Sequence, residues 1–283
     1  MKSIIDFHAH IFPDRIAEGA LASLAEHSGE YQPCTDATLC GLLASMDRAG
    51  IGLSVVANIA TRPAQLESIL RFSQELMSDR VYPLVSFHPG NTLEEVKGLL
   101  RRCREHGLAG VKLHPMYQEF AIDEERMFPY YESVLDAGGF VLFHTGYDIA
   151  FPGNTQADIE RVRRLARRLP DLPIVATHTG GWRQWDRIGQ LEDCPHVYTD
   201  ISMTLSEMDD DVFIRLLAVF GEDRVLFGTD SPWTDQKEMV ERINGLPLSD
   251  GFKEKIFSLN AIRFLGAVGV EVPAHARSRD QSL

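Results

Sequence analysis

His8 and His10 stand two residues apart in the opening segment DFHAH. The same kinds of donor recur in LFHTG, THTGG and FGTDSPW as His144, His178 and Asp230. On a strand, residues two apart point the same way, so both imidazoles of the pair can grip one ion. An isolated HxH arises easily by chance, and a lone histidine is more often hydrogen-bonded near a core. Asp230 taken alone would make a good helix N-cap. Several such positions converging are better explained by a metal centre. Imidazole and carboxylate donors suit Zn²⁺, with Mn²⁺ or Fe²⁺ as alternatives. An ion with an open position lowers the pKa of bound water toward about 7 and polarises a carbonyl oxygen.

Such convergence needs elements that bring distant residues to one end of the fold. Eight apolar runs rich in β-formers are Ile4–Phe7, Leu53–Asn58, Val81–Phe87, Gly110–Leu113, Phe140–Phe143, Ile174–Thr177, Val197–Ile201 and Val225–Gly228. Segments with helical spacing of apolar residues lie between them, as in Leu93, Val96, Leu99 and Leu100. Strand–helix alternation repeated eight times predicts an α/β fold, a single-domain (β/α)₈ TIM barrel. A doubly wound open sheet usually binds ligand through a glycine-rich first turn, and the first turn here, HAHIFPD, has no glycine. His8, His10, His88, His114, His144 and His178 all fall at or just past strand C-termini, where barrel active sites form. The barrel is expected over residues 1–271, with an insertion, Ile11–Pro33, after the first strand. That insertion reads as helical around Ala17–His27 and as a lid over the site. Extra helices are expected at 235–244 and 249–265, and the polar segment 272–283 reads as a frayed tail.

The series DFHAH, LFHTG, THTGG and FGTDSPW, in this order on these strands, resembles the amidohydrolase superfamily. The likeness is greatest to its compact branch of TIM-barrel metal-dependent hydrolases, which also contains decarboxylases of aromatic and related acids. It spans nearly the whole chain, from Ile4 to about Leu265, and its motifs specify the superfamily far better than the substrate. The resemblance implies that His8 and His10 are the paired ligands of the first strand and His144 the ligand on the fifth. Asp230 would bind the metal and take a proton from the attacking water. His178 would orient or deprotonate that water in a mononuclear site, or bind a second ion in a binuclear one. Lys112, in GVKLHP on strand four, keeps the ion count open. In binuclear members a carboxylated lysine bridges two ions there; otherwise Lys112 is a proton donor or a buried lysine paired with a carboxylate. One divalent ion is the expected cofactor.

On this basis Asp230 and His178 move the water's proton to a leaving group. The expected reaction is hydrolysis of an amide, ester or lactone. Metal-dependent decarboxylation is the alternative, and a metal-binding barrel without catalysis is the alternative of another class. The chain is short for the decarboxylase members, which tend to carry larger insertions, and this favours hydrolysis. The rim suggests a small, anionic, ring-containing substrate. Arg62, His88, His114 and Tyr117 follow strands two to four, and Trp182 and Trp233 follow strands six and eight. Arginine offers a planar fork for a carboxylate and the indoles offer flat apolar walls.

Composition narrows the partners. A net charge of −13 argues against nucleic acid, which needs a basic stripe. The densest basic run, Arg161–Arg168, interleaves with Val162, Leu165, Ala166 and Leu169 and reads as a solvated helix face. The four cysteines are too sparse for a disulfide framework. No apolar leader opens the chain, and no stretch approaches the roughly 18 apolar residues of a membrane span. These features predict a cytoplasmic enzyme with a small-molecule substrate. Barrels of this type often pair, so a homodimer is the expected assembly.

Overall fold

The computed structural model describes residues 3–29 and 31–277. The strands are β1 (Ile4–Ala9), β2 (Ile51–Ala57), β3 (Val81–Leu84), β4 (Gly110–Leu113), β5 (Phe140–Phe143), β6 (Ile174–Ala176), β7 (Val197–Asp200) and β8 (Val225–Leu226). Neighbours in chain order pair in parallel, β1 to β3 in one ladder and β4 to β8 in another. Backbone bonds join the two ladders. Val85 N donates to Gly110 O at 3.0 Å and Lys112 N to Val85 O at 2.8 Å. On the other side Phe7 N donates to Phe227 O and Asp230 N to His8 O, each at 2.7 Å. The ring therefore closes as a (β/α)₈ barrel, as the alternation predicts.

Strands buried on both faces read as continuous apolar runs. In β5 all four residues are buried; Phe140 and Leu142 face the barrel interior while Val141 and Phe143 meet the helical layer. Phe7, Phe140 and Phe264 pack edge to face or tilted, with centroids 4.9–6.1 Å apart, and plug the lower barrel. With that end filled by apolar side chains, the polar residues gather at the strand C-termini.

The helices are α1 (Asp14–Ala25), α2 (Leu39–Ala49), α3 (Leu66–Leu76), α4 (Leu93–Glu105), α5 (Phe128–Asp136), α6 (Ile159–Arg168), α7 (Asp210–Phe220), α8 (Gln236–Gly245), α9 (Asp250–Glu254) and α10 (Asn260–Ala267). The arginines of α6 pair with Asp123, Glu125 and Asp193 at the surface, while Val162, Leu165 and Ala166 are buried. This is the solvated face that the pattern predicts.

Three local features depart from the sequence reading. Between β6 and β7 the connection is a 3₁₀ turn, Trp185–Leu191, in place of an α-helix. The single helix expected at 249–265 is α9 and α10 joined by a π turn at Lys255–Leu259. That wider turn frees the Ile256 carbonyl to accept from Phe227 N at 2.9 Å, which ties the segment to the end of β8. Finally, the segment expected to fray from 272 is docked as far as Arg277. Val272 and Ala276 are buried in the cluster that closes the lower barrel. Residues 278–283 lie outside the described residues. Among the described residues no helix is long and apolar enough to cross a membrane.

Candidate metal centre

The site starts at the end of β1. Its pairing with β2 shifts register between Asp6 and Ala9, the kind of irregularity that re-aims a side chain near an active site. Asp6, fully buried, accepts from His8 N at 3.1 Å, Thr229 N at 3.0 Å and Gln236 Nε2 at 2.7 Å. It thereby clamps the HxH segment to the turn that carries Asp230.

His8 Nδ1 lies 3.0 Å from Asp200 Oδ2. Its Nε2 is then 3.1 Å from His10 Nε2, 3.5 Å from Asp230 Oδ1 and 3.3 Å from Lys112 Nζ. His10 Nε2 is 3.1 Å from Asp230 Oδ1. Donors bound about 2.1 Å from a shared ion stand about 3.0–3.4 Å apart, between right-angled and tetrahedral arrangements. The His8–His10 and His10–Asp230 separations fit that spacing, and His8–Asp230 at 3.5 Å lies just beyond it.

A second pair adjoins them. The Ser202 hydroxyl donates to Asp200, so it accepts from His178 Nδ1 at 2.8 Å. His144 Nε2 donates to Tyr147 O at 3.1 Å. These bonds leave lone pairs on His178 Nε2 and His144 Nδ1, which face each other at 3.2 Å. Two acceptors that close repel unless a cation or proton lies nearby. The supporting shell thus leaves His8, His144 and His178 each with a lone pair toward the site, and His8, His10 and Asp230 are grouped as a divalent ion would require.

Electrostatics agree. Burial pushes His10 and His178 down to about 4, against the pull of Asp230. Burial also drives His144 well below its usual value, with His114 and His178 adding to the effect. Neutral imidazole is the form a metal requires. Burial alone would raise Asp230, but His8 and His10 hold it below the usual carboxylate range. Lys112 is buried and pushed down to about 8, partly offset by Asp230, Asp200 and Asp148. Among the described residues no carboxylate lies within ion-pair distance of its Nζ, so the paired-lysine alternative does not describe it.

Backbone strain sits in the same place. His178 (φ 61°), Thr179 (φ 53°) and Asp230 (φ 57°) adopt the left-handed region, at a cost of about 1–3 kcal/mol each. Gly228 is required by close approach, since a Cβ there would lie 2.8 Å from Asp200 Cβ and 3.2 Å from His8 Cβ. Gly146 (φ 88°) lets the loop after β5 run against Trp182, whose N would be 2.3 Å from an added Cβ.

Sequence reasoning missed Asp200, Ser202, Asp148 and Asp6. Asp200 ends β7 in VYTDIS, so the rule that found the histidines reaches it too. Asp148 had no such signal. It lies in the loop after β5, 3.2 Å from His114 Nε2, and the His114 ring stacks on His144 at 4.2 Å. His114 thus stands behind His144 and braces its ring.

Above the donors opens a cavity of about 770 Å³. His114, Tyr117, Trp182 and Trp233 line it together with the donors and Lys112, as expected. Arg62 and His88 are not among its walls. Gln118 fills the tops of β2 and β3, donating to Ala60 O at 2.9 Å and Phe87 O at 2.7 Å. The chain beyond carries Arg62 to an exposed turn, and His88 Nδ1 accepts from Gly90 N at 3.0 Å. The arginines that reach the cavity are Arg15 of α1 and Arg71 of α3, both exposed. Neither has an ion pair among the described residues. α1, from the expected insertion, forms one wall.

A family model described as Amidohydrolase matches residues 5–267. No curated protein sequence matches the chain. Among solved structures, an uncharacterised TIM-barrel protein of Bordetella bronchiseptica is 24% identical with a TM-score of 0.78, covering 94% of this chain and 99% of that one. A 5-carboxyvanillate decarboxylase of Sphingomonas paucimobilis is 16% identical at 0.69, covering 94% and 99%. A dihydroxybenzoic acid decarboxylase of a Polaromonas species, with bound manganese and the inhibitor 2-nitroresorcinol, is 16% identical at 0.71, covering 94% and 97%. Nearly the full length of both decarboxylases is covered, so chain length does not argue against decarboxylation.

Proposed function

Since this chain belongs to the amidohydrolase family, a family of enzymes, we propose that it is a metal-dependent hydrolase acting on the amide, ester or lactone carbonyl of a small molecule. The observation that carries this reading is the proton inventory of the centre. Hydrolysis needs a base beside the water, and two acceptors stand at the donor cluster. Asp230 is held ionised, and His178, neutral, presents Nε2 into the donor cluster with Nδ1 bonded to Ser202.

His8, His10, His144 and Asp230 are the residues that would hold the ion. When bound, it lowers the pKa of water and polarises the carbonyl. His178 Nε2 and the free oxygen of Asp230 take the water's proton and pass it to the leaving group. Lys112 Nζ stands 3.3 Å from His8 Nε2, at the edge of the cluster. Zn²⁺ suits the imidazole-rich donor set, and Mn²⁺ is supported by the Polaromonas neighbour. An anionic group on the substrate would meet Arg15 or Arg71 at the mouth. Four free cysteines support a reducing compartment, the cytoplasm.

Decarboxylation stays as a second reading because two of the structural neighbours are decarboxylases. Metal-loaded enzyme incubated with panels of lactones, esters, amides and carboxylic acids separates them. Acid release from an acyl substrate supports hydrolysis. Carbon dioxide release, with no acyl substrate turned over, overturns it in favour of the lyase.

A further inference from the structure

We propose that the substrate carries an extended apolar body of at least six carbons, lying between α1 and α3 while its reacting carbonyl sits at the donor cluster. The inference deepens the hydrolase reading and rests on it.

Two helices supply the surface. On α1, Ile16 and Leu24 are eight residues apart on one face, with Leu21 beside them, and all three line the cavity. On α3, Ile69 and Phe72, three apart, line the facing wall, and Ile149 closes it from the loop after β5. These side chains are not simply core. Ile16 is 47% exposed, and among the described residues it is the exposed large hydrophobic. Leu21, Leu24, Ile69 and Ile149 are partly buried and belong to neither of the two apolar clusters that build the barrel. Apolar side chains left half-covered at the entrance of a reactive site are surface for a ligand to cover.

Size points the same way. The cavity of about 770 Å³ lies in the range of about 300–1,000 Å³ typical of drug-sized ligands. A short polar acyl compound would leave the aliphatic walls in contact with water. Meanwhile the donors His8, His10 and Asp230 meet in one cluster, whereas the aliphatic side chains stand on α1 and α3, which also bring Arg15, Ser68, Arg71 and Glu75 to the wall. The geometry thus separates a reactive floor from an aliphatic channel.

The test is calorimetric titration of metal-loaded enzyme with straight-chain alkyl hydroxamates from two to ten carbons, whose common head group chelates a divalent ion. The dissociation constant should fall by about two- to fourfold per added methylene up to at least six carbons. Leu21→Asp and Ile69→Asp variants should bind acetohydroxamate as the native enzyme does but lose most of that slope. A flat or rising dissociation constant beyond four carbons, with acetohydroxamate still bound, would overturn the apolar channel and leave the metal reading intact. Failure of every chain length to bind would overturn the metal reading, and the channel proposal with it.

Discussion

The Ser202 hydroxyl lies 2.8 Å from Nδ1 of His178 and is also bonded to Asp200. A hydroxyl has one proton, and the Asp200 carboxylate takes it. His178 must therefore donate from Nδ1, which fixes the tautomer and keeps the Nε2 lone pair in the donor cluster.

Ser202→Ala removes that acceptor. Loss of such an outer partner typically costs about 10–100-fold. The fall should appear in kcat with little change in KM, and Ser202→Thr should recover most of it. Metal content should stay native in both variants. An unchanged kcat for Ser202→Ala would mean that His178 needs no such partner.

Metal stoichiometry follows from the spacing of His8, His10 and Asp230. Elemental analysis should find about one divalent ion per chain, lost in His8→Ala and kept in Lys112→Ala. Two ions per chain, falling when Lys112 is removed, would instead make Lys112 a bridge and His178 a ligand.

Asp230→Asn keeps the shape of the side chain but weakens its basicity. Circular dichroism should match the native spectrum while turnover falls by about 10²–10⁴, the usual share of a positioned proton acceptor. Near-native turnover would remove Asp230 from the mechanism.

Charge selection should reside at the mouth. Arg71→Ala and Arg15→Ala should raise KM for anionic substrates more than for neutral ones, because both side chains line the cavity. Arg62→Ala should leave both unchanged. A selective loss for anions in Arg62→Ala would move the anion site to the exposed turn after β2.

The metal-free protein should lose stability as pH falls from about 6.5 toward 4. In that window the unfolded histidines take up protons that folded His10 and His178, lowered to about 4, refuse. His114 and His144 are shifted the same way. Asp6, lifted by burial to about 6, acts oppositely, but it is one group against four. Melting curves after chelation and desalting should show a falling Tm across this range. A Tm rising toward pH 5 would contradict the burial of neutral imidazoles.

Much of this protein is legible in its sequence for a simple reason. Period-two placement of His8 and His10 and apolar runs such as FVLF are local patterns, and strand C-termini of a barrel converge by topology. The fold, the candidate donors and the aromatic lining at Trp182 and Trp233 follow from that. The supporting shell does not. Asp148 reaches His114 from a loop, and Asp6 joins β1 to the turn after β8, pairings between segments distant in sequence. Arg62 shows the converse: its position after a strand suggested a site residue, but it lies on an exposed turn outside the cavity walls. Which side chains face the cavity was decided by how the loops pack, a long-range property with no periodic trace in the chain. The sequence by itself determined the barrel and singled out the candidate donors. Only the tertiary structure decided their tautomers, their spacing and the aliphatic channel above them, because each depends on contacts that exist only once the ring has closed.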